Sequence, residues 1–314
     1  MIETLPPDNG AGRRRRRSLL RCLVLGVGLV GVATASYLFG LYSYPRAVWP
    51  ANVLRGTAES ARTVGTHDDY GRLVAYPGKI QRPCPTQTAR TGVLLAIGQS
   101  NVANHAANRV TTRHGGRVLG FFAGSCQIAA SPLLGATGDR GEFLTLLADR
   151  LVDDGIYDAV IIVSSGIGGS PISRWQRGGD LSSMMMATLD GLAARYRVTE
   201  VIWHQGESDF ANATTSDAYA TGFGSLVATL VESGIAAPVF TSVSTRCGAG
   251  WRAENPVARA QRRLADGKGI HVAADTDALL SPEDRYDECH LSESGQRKTA
   301  LAYAGAIRRI RQLR

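Results

Sequence analysis

The stretch Val93-Leu94-Leu95-Ala96-Ile97-Gly98-Gln99-Ser100-Asn101 decides how the rest of the chain is read. Five apolar residues without alternation predict a strand buried on both faces. Gly98 ends it, and a serine follows at the turn. The same pattern recurs outward from this stretch, at Val118-Leu119-Gly120-Phe121-Phe122, Ala159-Val160-Ile161-Ile162-Val163, Glu200-Val201-Ile202-Trp203-His204 and Pro238-Val239-Phe240-Thr241-Ser242-Val243. Helical stripes lie between these runs. Gly141 to Asp154 repeats apolar residues at Phe143, Leu146, Leu147, Leu151 and Val152, and Leu181 to Tyr196 does so at Met184, Leu189, Leu192 and Ala193. Ser216 to Ser233 and Ala258 to Ala265 are further helices, Ile270 to Ala273 a short strand, and Glu293 to Gln312 a closing helix capped by Ser292.

Apolar strands alternating with amphipathic helices predict an α/β domain whose parallel sheet is covered on both faces. The expected architecture is a flavodoxin-like three-layer sandwich with about five parallel strands, over residues 91–314. Residues 45–90, with Pro45, Pro50, Pro77, Pro83 and Pro85 and no sustained period, read as a linker and entry segment. In sheets of this kind ligands bind at the carboxyl ends of the strands, so the residues after each strand are where chemistry is expected.

The net charge of +8 does not point to nucleic acid. Half of the excess lies in residues 1–21, where Arg13 to Arg17 and Arg21 face only Glu3 and Asp8. No basic stripe interleaved with aromatics follows, so no nucleic-acid partner is expected. Behind this basic tail, residues 22–44 carry no charge. At ~1.5 Å per residue they reach ~34 Å, enough to cross a bilayer core. One N-terminal transmembrane helix is therefore expected, with residues 1–21 cytoplasmic and the bulk of the chain exported. Ala33-Thr34-Ala35 also resembles a signal-peptidase site, and cleavage near Ala35 would release a secreted protein. The apolar run continuing through Tyr37-Leu38-Phe39 favours the uncleaved anchor. Arg16-Arg17-Ser18-Leu19-Leu20 loosely resembles a twin-arginine export signal. Gly26-Val27-Gly28-Leu29-Val30-Gly31 matches a dinucleotide fingerprint by spacing but lacks the preceding strand and the later acid, so it predicts no cofactor.

Export places Cys84, Cys126, Cys247 and Cys289 in an oxidising space. Of three connectivities, Cys84–Cys126 with Cys247–Cys289 is preferred, against four free thiols as the plain alternative.

Four blocks follow strands or precede the last helix. Gly98-Gln99-Ser100-Asn101 offers a serine that is a nucleophile at a sheet edge or an ordinary helix N-cap. Gly168-Gly169-Ser170-Pro171-Ile172, with Trp175, presents bare backbone N–H groups, suited to an oxyanion hole or serving as a flexible turn. No Gly-Lys-Ser/Thr follows, which excludes a Walker site. His204-Gln205-Gly206-Glu207-Ser208-Asp209 clusters an amide and two carboxylates: an oxyanion donor in Gln205, a glycosidase acid pair or metal site in Glu207 and Asp209, or residues that orient loops. His204 reads as a core residue ending its strand. Asp287-Glu288-Cys289-His290 sets an acid three residues before a histidine, a spacing that lets a carboxylate hold an imidazole tautomer. His67, His105 and His114 lack ligand spacing, and no metal is expected.

Together and in this order, these blocks resemble the SGNH/GDSL hydrolase superfamily, and within it the sialate O-acetylesterase-like branch, carbohydrate esterase family 6. The resemblance implies an esterase acting on acetylated carbohydrate, needing no cofactor. It implies Ser100 as nucleophile, His290 as general base and Asp287 as its orienting acid. It implies an oxyanion hole from the Ser100 N–H, a glycine N–H in the Gly168-Gly169 pair (Gly169 here) and the Gln205 side chain. Gln205 stands where the wider superfamily usually has asparagine, as is usual in this branch. Val102 and Ser170 depart from the common methionine and threonine, which bears on the acyl pocket and removes no catalytic group. An O-acetyltransferase using the same triad, a silent carbohydrate-binding domain on a tether, and a glycosidase built on Glu207 and Asp209 are the competing readings. The loops expected to choose the sugar are residues 103–116, 123–140 and 246–256.

Overall fold

The structure, a computed structural model, describes residues 28, 30–39 and 65–313. Most of the expected membrane span 22–44 lies outside the described residues. Residues 30–39 are helical and leave Val30, Val32, Tyr37, Leu38 and Phe39 exposed. Among the described residues no helix is long and apolar enough to cross a membrane.

β1 (Thr66–His67) and β2 (Leu73–Ala75) form a small antiparallel ribbon. The main sheet holds β3 (Gln81–Arg82), β4 (Thr91–Gly98), β5 (Val118–Phe122), β6 (Ser125–Ile128), β7 (Ala159–Ser164), β8 (Glu200–His204), β9 (Val239–Val243) and β10 (Ile270–Asp275). Their order is β10-β9-β8-β4-β7-β5-β6-β3. From β10 to β5 every pairing is parallel, and β6 and β3 are antiparallel. The mainly parallel α/β sheet is thus the expected one, with six parallel strands where about five were expected. With β5 left aside, the parallel strands follow the flavodoxin order 2-1-3-4-5, and β5 adds a sixth beside β7. Numbered along the chain, the parallel strands run 2-3-1-4-5-6, so the strand carrying Ser100 lies between β7 and β8.

Two strands of this sheet fall in places the sequence pattern left blank, as do β1 and β2 of the ribbon. β3 comes from the segment read as linker, and it pairs with β6. β6 returns from β5 through Ala123-Gly124, whose φ angles are 48° and 80°. Positive φ at both central residues is the hairpin turn of type I′. Alanine is an unusual residue there, which hid the turn. The expected pairs Cys84–Cys126 and Cys247–Cys289 are both disulfides. The first ties the chain just after β3 to β6.

Eight further helices surround the sheet: α1 (Leu144–Asp153), α2 (Ile172–Trp175), α3 (Asp180–Ala193), α4 (Glu207–Ala211), α5 (Ser216–Glu232), α6 (Pro256–Arg263), α7 (Thr276–Leu279) and α8 (Glu293–Gln312). Side chains alternate along a strand, so β4 feeds two cores. Leu94 and Ala96 pack with Leu144, Leu147 and Leu151 of α1 and Tyr303 and Ile307 of α8. Val93, Leu95 and Ile97 pack with Leu181, Met184 and Leu189 of α3 and Phe223 and Leu226 of α5. Ser292 caps α8 through the Gly295 N–H, as expected, and Asn255 caps α6 through Ala258.

The end of the sheet away from the serine is held by a buried charge. Glu200, fully buried at the start of β8, accepts from the Tyr157 hydroxyl and from Arg311 of α8. Removing one partner of a buried pair leaves the other uncompensated, at a cost of about 3 kcal/mol. Glu200→Ala is therefore expected to lower the unfolding free energy by about that amount in urea titrations, with activity per folded molecule retained. A loss below about 1 kcal/mol would mean that Arg311 escapes to water. His204 ends β8 in the core, 1% exposed, with Phe143 and Tyr303 rings within 6.3 Å. Burial, then the nearby Arg285 charge, pull its pKa down to about 3. An unfolded histidine titrates at about 6.5. Between those values the unfolded chain binds the extra proton, so stability falls as pH drops through this window. Urea midpoints measured from pH 7 to pH 4 should fall, and His204→Gln should flatten that slope.

Candidate active site

Three blocks meet because three neighbouring strands end at one level. Gly98 at the end of β4 lies opposite His204 at the end of β8. Gly98 has φ +128°, and a Cβ there would stand 2.2 Å from the His204 carbonyl oxygen. Only glycine permits this approach. The chain then turns, and Ser100 begins a single 3₁₀ turn, Ser100–Val102, buried at 5% exposure. The Ser100 side chain caps no helix.

Gln99 joins this turn to the next block. Its Oε1 accepts from the backbone N–H of Gly206 and Ser208, at 3.3 and 3.1 Å, and from Gln205 Nε2 at 3.3 Å. Asp209, 1% exposed, ties the β8 block to the β7 block. Its Oδ2 accepts from the Ile172 N–H at 2.7 Å and from Gln205 Nε2, and its Oδ1 accepts from the Thr214 hydroxyl. Ser170, the departure from the common threonine, donates its hydroxyl to the Ile167 carbonyl and accepts from Trp175 Nε1. Its hydroxyl therefore shapes the glycine loop from within.

The backbone donors differ in what they face. Gly169 has φ +67°, is exposed, and a Cβ on it would meet nothing within 4 Å. Among the described residues no intramolecular acceptor takes the N–H of Ser100 or of Gly169. Gly168 differs: its N–H donates to the Thr137 hydroxyl at 2.7 Å. Gln205 is fully buried, and its amide nitrogen faces Asp209, the Ser170 carbonyl and Gln99 Oε1. The opposite rotamer of the amide would aim an oxygen at the Asp209 carboxylate, so the orientation follows from charge. Glu207 and Asp209, the pair a glycosidase would need, are both buried and engaged with the protein.

His290 Nδ1 lies 2.7 Å from Asp287 Oδ2, and the His290 N–H donates to Asp287 Oδ1 at 2.7 Å. Partial burial would raise the Asp287 carboxyl. The hydrogen bonds from His290 and from the Cys289 N–H outweigh it and hold the pKa at about 2. The His290 ring stacks on His105 at 5.6 Å and on Tyr286 at 6.0 Å between centroids. His105, noted in the sequence only for lacking metal-ligand spacing, sits beside His290. Its Nε2 is 3.1 Å from the Thr137 hydroxyl that receives Gly168, and burial, then His290 and Arg140, lower its pKa to about 4. It is therefore a neutral imidazole between the glycine loop and His290. No local motif marks it, because its partners are 32 and 185 residues away.

A cleft of about 690 Å³ opens beside Asp287, lined among others by Arg246, Trp251, Arg285, Tyr286 and Glu288. The Arg246 guanidinium lies 5.0 Å from the Trp251 ring centroid. The loop bearing both is one of those expected to choose the sugar. The Cys247–Cys289 disulfide fastens it to the residue before His290. Among the described residues no group of three or more His, Cys, Asp or Glu side chains is arranged to hold a metal ion.

Comparison with known proteins bears on this arrangement. A protein of Arabidopsis thaliana has a similar fold, with a TM-score of 0.57 and 19% identity over 69% of this chain and 97% of that one. The protein NanS gives a TM-score of 0.52 and 17% identity over 71% of this chain and 98% of that one. At such identities the likeness concerns the fold. No curated protein matches the sequence. Residues 90–309 match the family described as carbohydrate esterase, sialic acid-specific acetylesterase. That match spans most of the chain and all four blocks, and the chain accordingly belongs to this family of carbohydrate esterases, which are carboxylic ester hydrolases.

Proposed function

We propose that the protein is a serine esterase that removes O-acetyl groups from carbohydrate on the outer side of a membrane. The observation that carries the mechanism is the His290–Asp287 pair, held at 2.7 Å on a loop that abuts the Ser100 turn. In this reading the Ser100 hydroxyl attacks the acetyl carbonyl while His290 Nε2 takes its proton. Asp287, ionised at any pH above its low pKa of about 2, holds the Nδ1–H tautomer and steadies the imidazolium that forms.

Charge then develops on the former carbonyl oxygen. In this reading the N–H groups of Ser100 and Gly169, which no acceptor among the described residues takes, are two oxyanion donors, and each is worth about 3 kcal/mol at such a position. Gln205 is the third donor. One of its amide hydrogens leaves its contacts with the Ser170 carbonyl and Gln99 Oε1, at 3.2 and 3.3 Å, to meet the oxyanion, while the other stays on Asp209. Collapse of the tetrahedral intermediate releases the sugar hydroxyl, which takes the proton from His290. Water, activated by the same histidine, then hydrolyses the acetyl-serine to acetate.

The apolar residues 22–44, preceded by the arginine block, tether the enzyme with its N-terminus cytoplasmic. The exposed apolar side chains of residues 30–39 support this reading. The two disulfides support an exported domain, since such bonds persist in oxidising compartments.

Ser100→Ala is expected to lower acetate release from p-nitrophenyl acetate and acetylated glycans by about 10⁴-fold or more, with the melting temperature kept. A purified Ser100→Ala protein with wild-type turnover would remove the serine mechanism. Asp287→Asn should lower kcat on the order of 10³-fold with little change in KM, because it offers the wrong partner to Nδ1. Steady-state kinetics decide this, and an unchanged kcat would show that His290 needs no acid.

A further inference from the structure

Asn101, the residue after Ser100, holds both backbone neighbours of His290. Its Oδ1 accepts from the Leu291 N–H at 3.2 Å, and its Nδ2 faces the Cys289 carbonyl at 3.3 Å. One amide thus brackets the histidine from residues 188 and 190 positions away in sequence. The same Nδ2 donates at 2.8 Å to Glu207 Oε1, which also accepts from the Ser244 hydroxyl at 2.8 Å. Ser244 Oγ lies 2.8 Å from His204 Nε2 at the end of β8. Asn101, Glu207, Ser244 and His204 are each at most 2% exposed. The Arg285 guanidinium meets the same Cys289 carbonyl from the other side, at 2.6 Å.

Burying four polar side chains is costly unless each is bonded. A connected network of this kind favours one arrangement over its neighbours. Here that arrangement links the loop carrying the nucleophile to the loop carrying the base. The Asn101 amide has two possible rotamers. Only the observed one donates to Glu207 and accepts from Leu291, so the carboxyl oxygen selects the rotamer that brackets His290.

We propose that Glu207 is a positioning residue of this esterase, acting through Asn101 to set where His290 stands relative to Ser100. The proposal rests on the Ser100–His290 reading above. Glu207 touches no reacting atom in it. What is required of Glu207 is an acceptor at Oε1, not a negative charge. Its second oxygen, Oε2, is buried without a partner. Burial also outweighs the hydrogen bonds from Asn101 and Ser244 and raises its carboxyl. A neutral amide with its oxygen at the Oε1 position should therefore serve in its place.

The test compares Glu207→Ala, Glu207→Gln and Asn101→Ala with the parent and with Ser100→Ala on p-nitrophenyl acetate. Active sites are titrated with a fluorophosphonate, so that kcat is expressed per competent serine. Displacing a catalytic group by an ångström costs about 100-fold. Glu207→Ala and Asn101→Ala should lose about that much kcat per titrated site with KM nearly kept, and Glu207→Gln should recover to within about threefold of the parent. A purely structural role would lower the melting temperature and the number of titratable sites and leave kcat per site intact, which would overturn the proposal. Loss in Glu207→Gln equal to that in Glu207→Ala would overturn it too, since charge would then be the requirement. If Ser100→Ala keeps its turnover, the underlying serine mechanism has failed instead, a result separable from the others.

Discussion

The site depends first on register. β4 is paired in parallel with β7 on one side and β8 on the other, so three strands finish side by side. Parallel pairing makes each strand run buried on both faces and ends each in a loop at the same edge. The close approach of Gly98 to the His204 carbonyl fixes how the Ser100 turn leaves that edge. The Ser100, Gly168-Gly169 and Gln205 blocks each lie within a few residues of these strand ends. A side chain in place of the Gly98 hydrogen would push the serine turn away from β8.

Short loops still need holding, and the holding is polar. Gln99 receives the backbone of the β8 block, Asp209 receives Ile172 of the β7 block, and Asn101 receives Leu291 beside His290. Each is a buried side chain from one block satisfying backbone groups of another. Backbone donors near a sheet edge lose their ladder partners, and burial makes an unpaired one costly. The motif residues therefore answer a structural demand as well as a chemical one. Among the described residues, the N–H groups of Ser100 and Gly169 are left without an intramolecular acceptor. They are the groups that a developing oxyanion would find ready.

What could be read from the sequence follows from range. Five apolar runs and the short stretch Ile270 to Ala273 identified the parallel strands, because a strand buried on both faces leaves its signature within about five residues. The long helices, from Leu144–Asp153 to Glu293–Gln312, were visible for the same local reason. β3 and β6 were not, since both are short, lie toward one edge of the sheet and carry polar residues such as Gln81 and Gln127. The turn from β5 into β6 at Ala123-Gly124 also lacks the usual asparagine or aspartate. At the site, the four blocks were legible and the bonds among them were not. Asn101 to Glu207 spans 106 residues and Asn101 to Leu291 spans 190, and no spacing rule reaches so far. Gln205 shows the limit from the other side. Its type suggested a free donor, while its neighbours Asp209, Ser170 and Gln99 already engage the amide.

The disulfide between Cys247 and Cys289 extends the same logic from chemistry to selectivity. It is covalent where the Asn101 bracket is polar, and both act on Cys289. On one side of that residue stands His290. On the other end of the bond stands the loop with Arg246 and Trp251, which lines the cleft beside Asp287. A load on this loop would therefore reach the segment that carries His290. Cys289 itself cannot yield easily, because Asn101 and Arg285 hold its carbonyl from two sides. The strain of an ill-fitting sugar would thus fall on the exposed loop around Cys247, while His290 keeps its place.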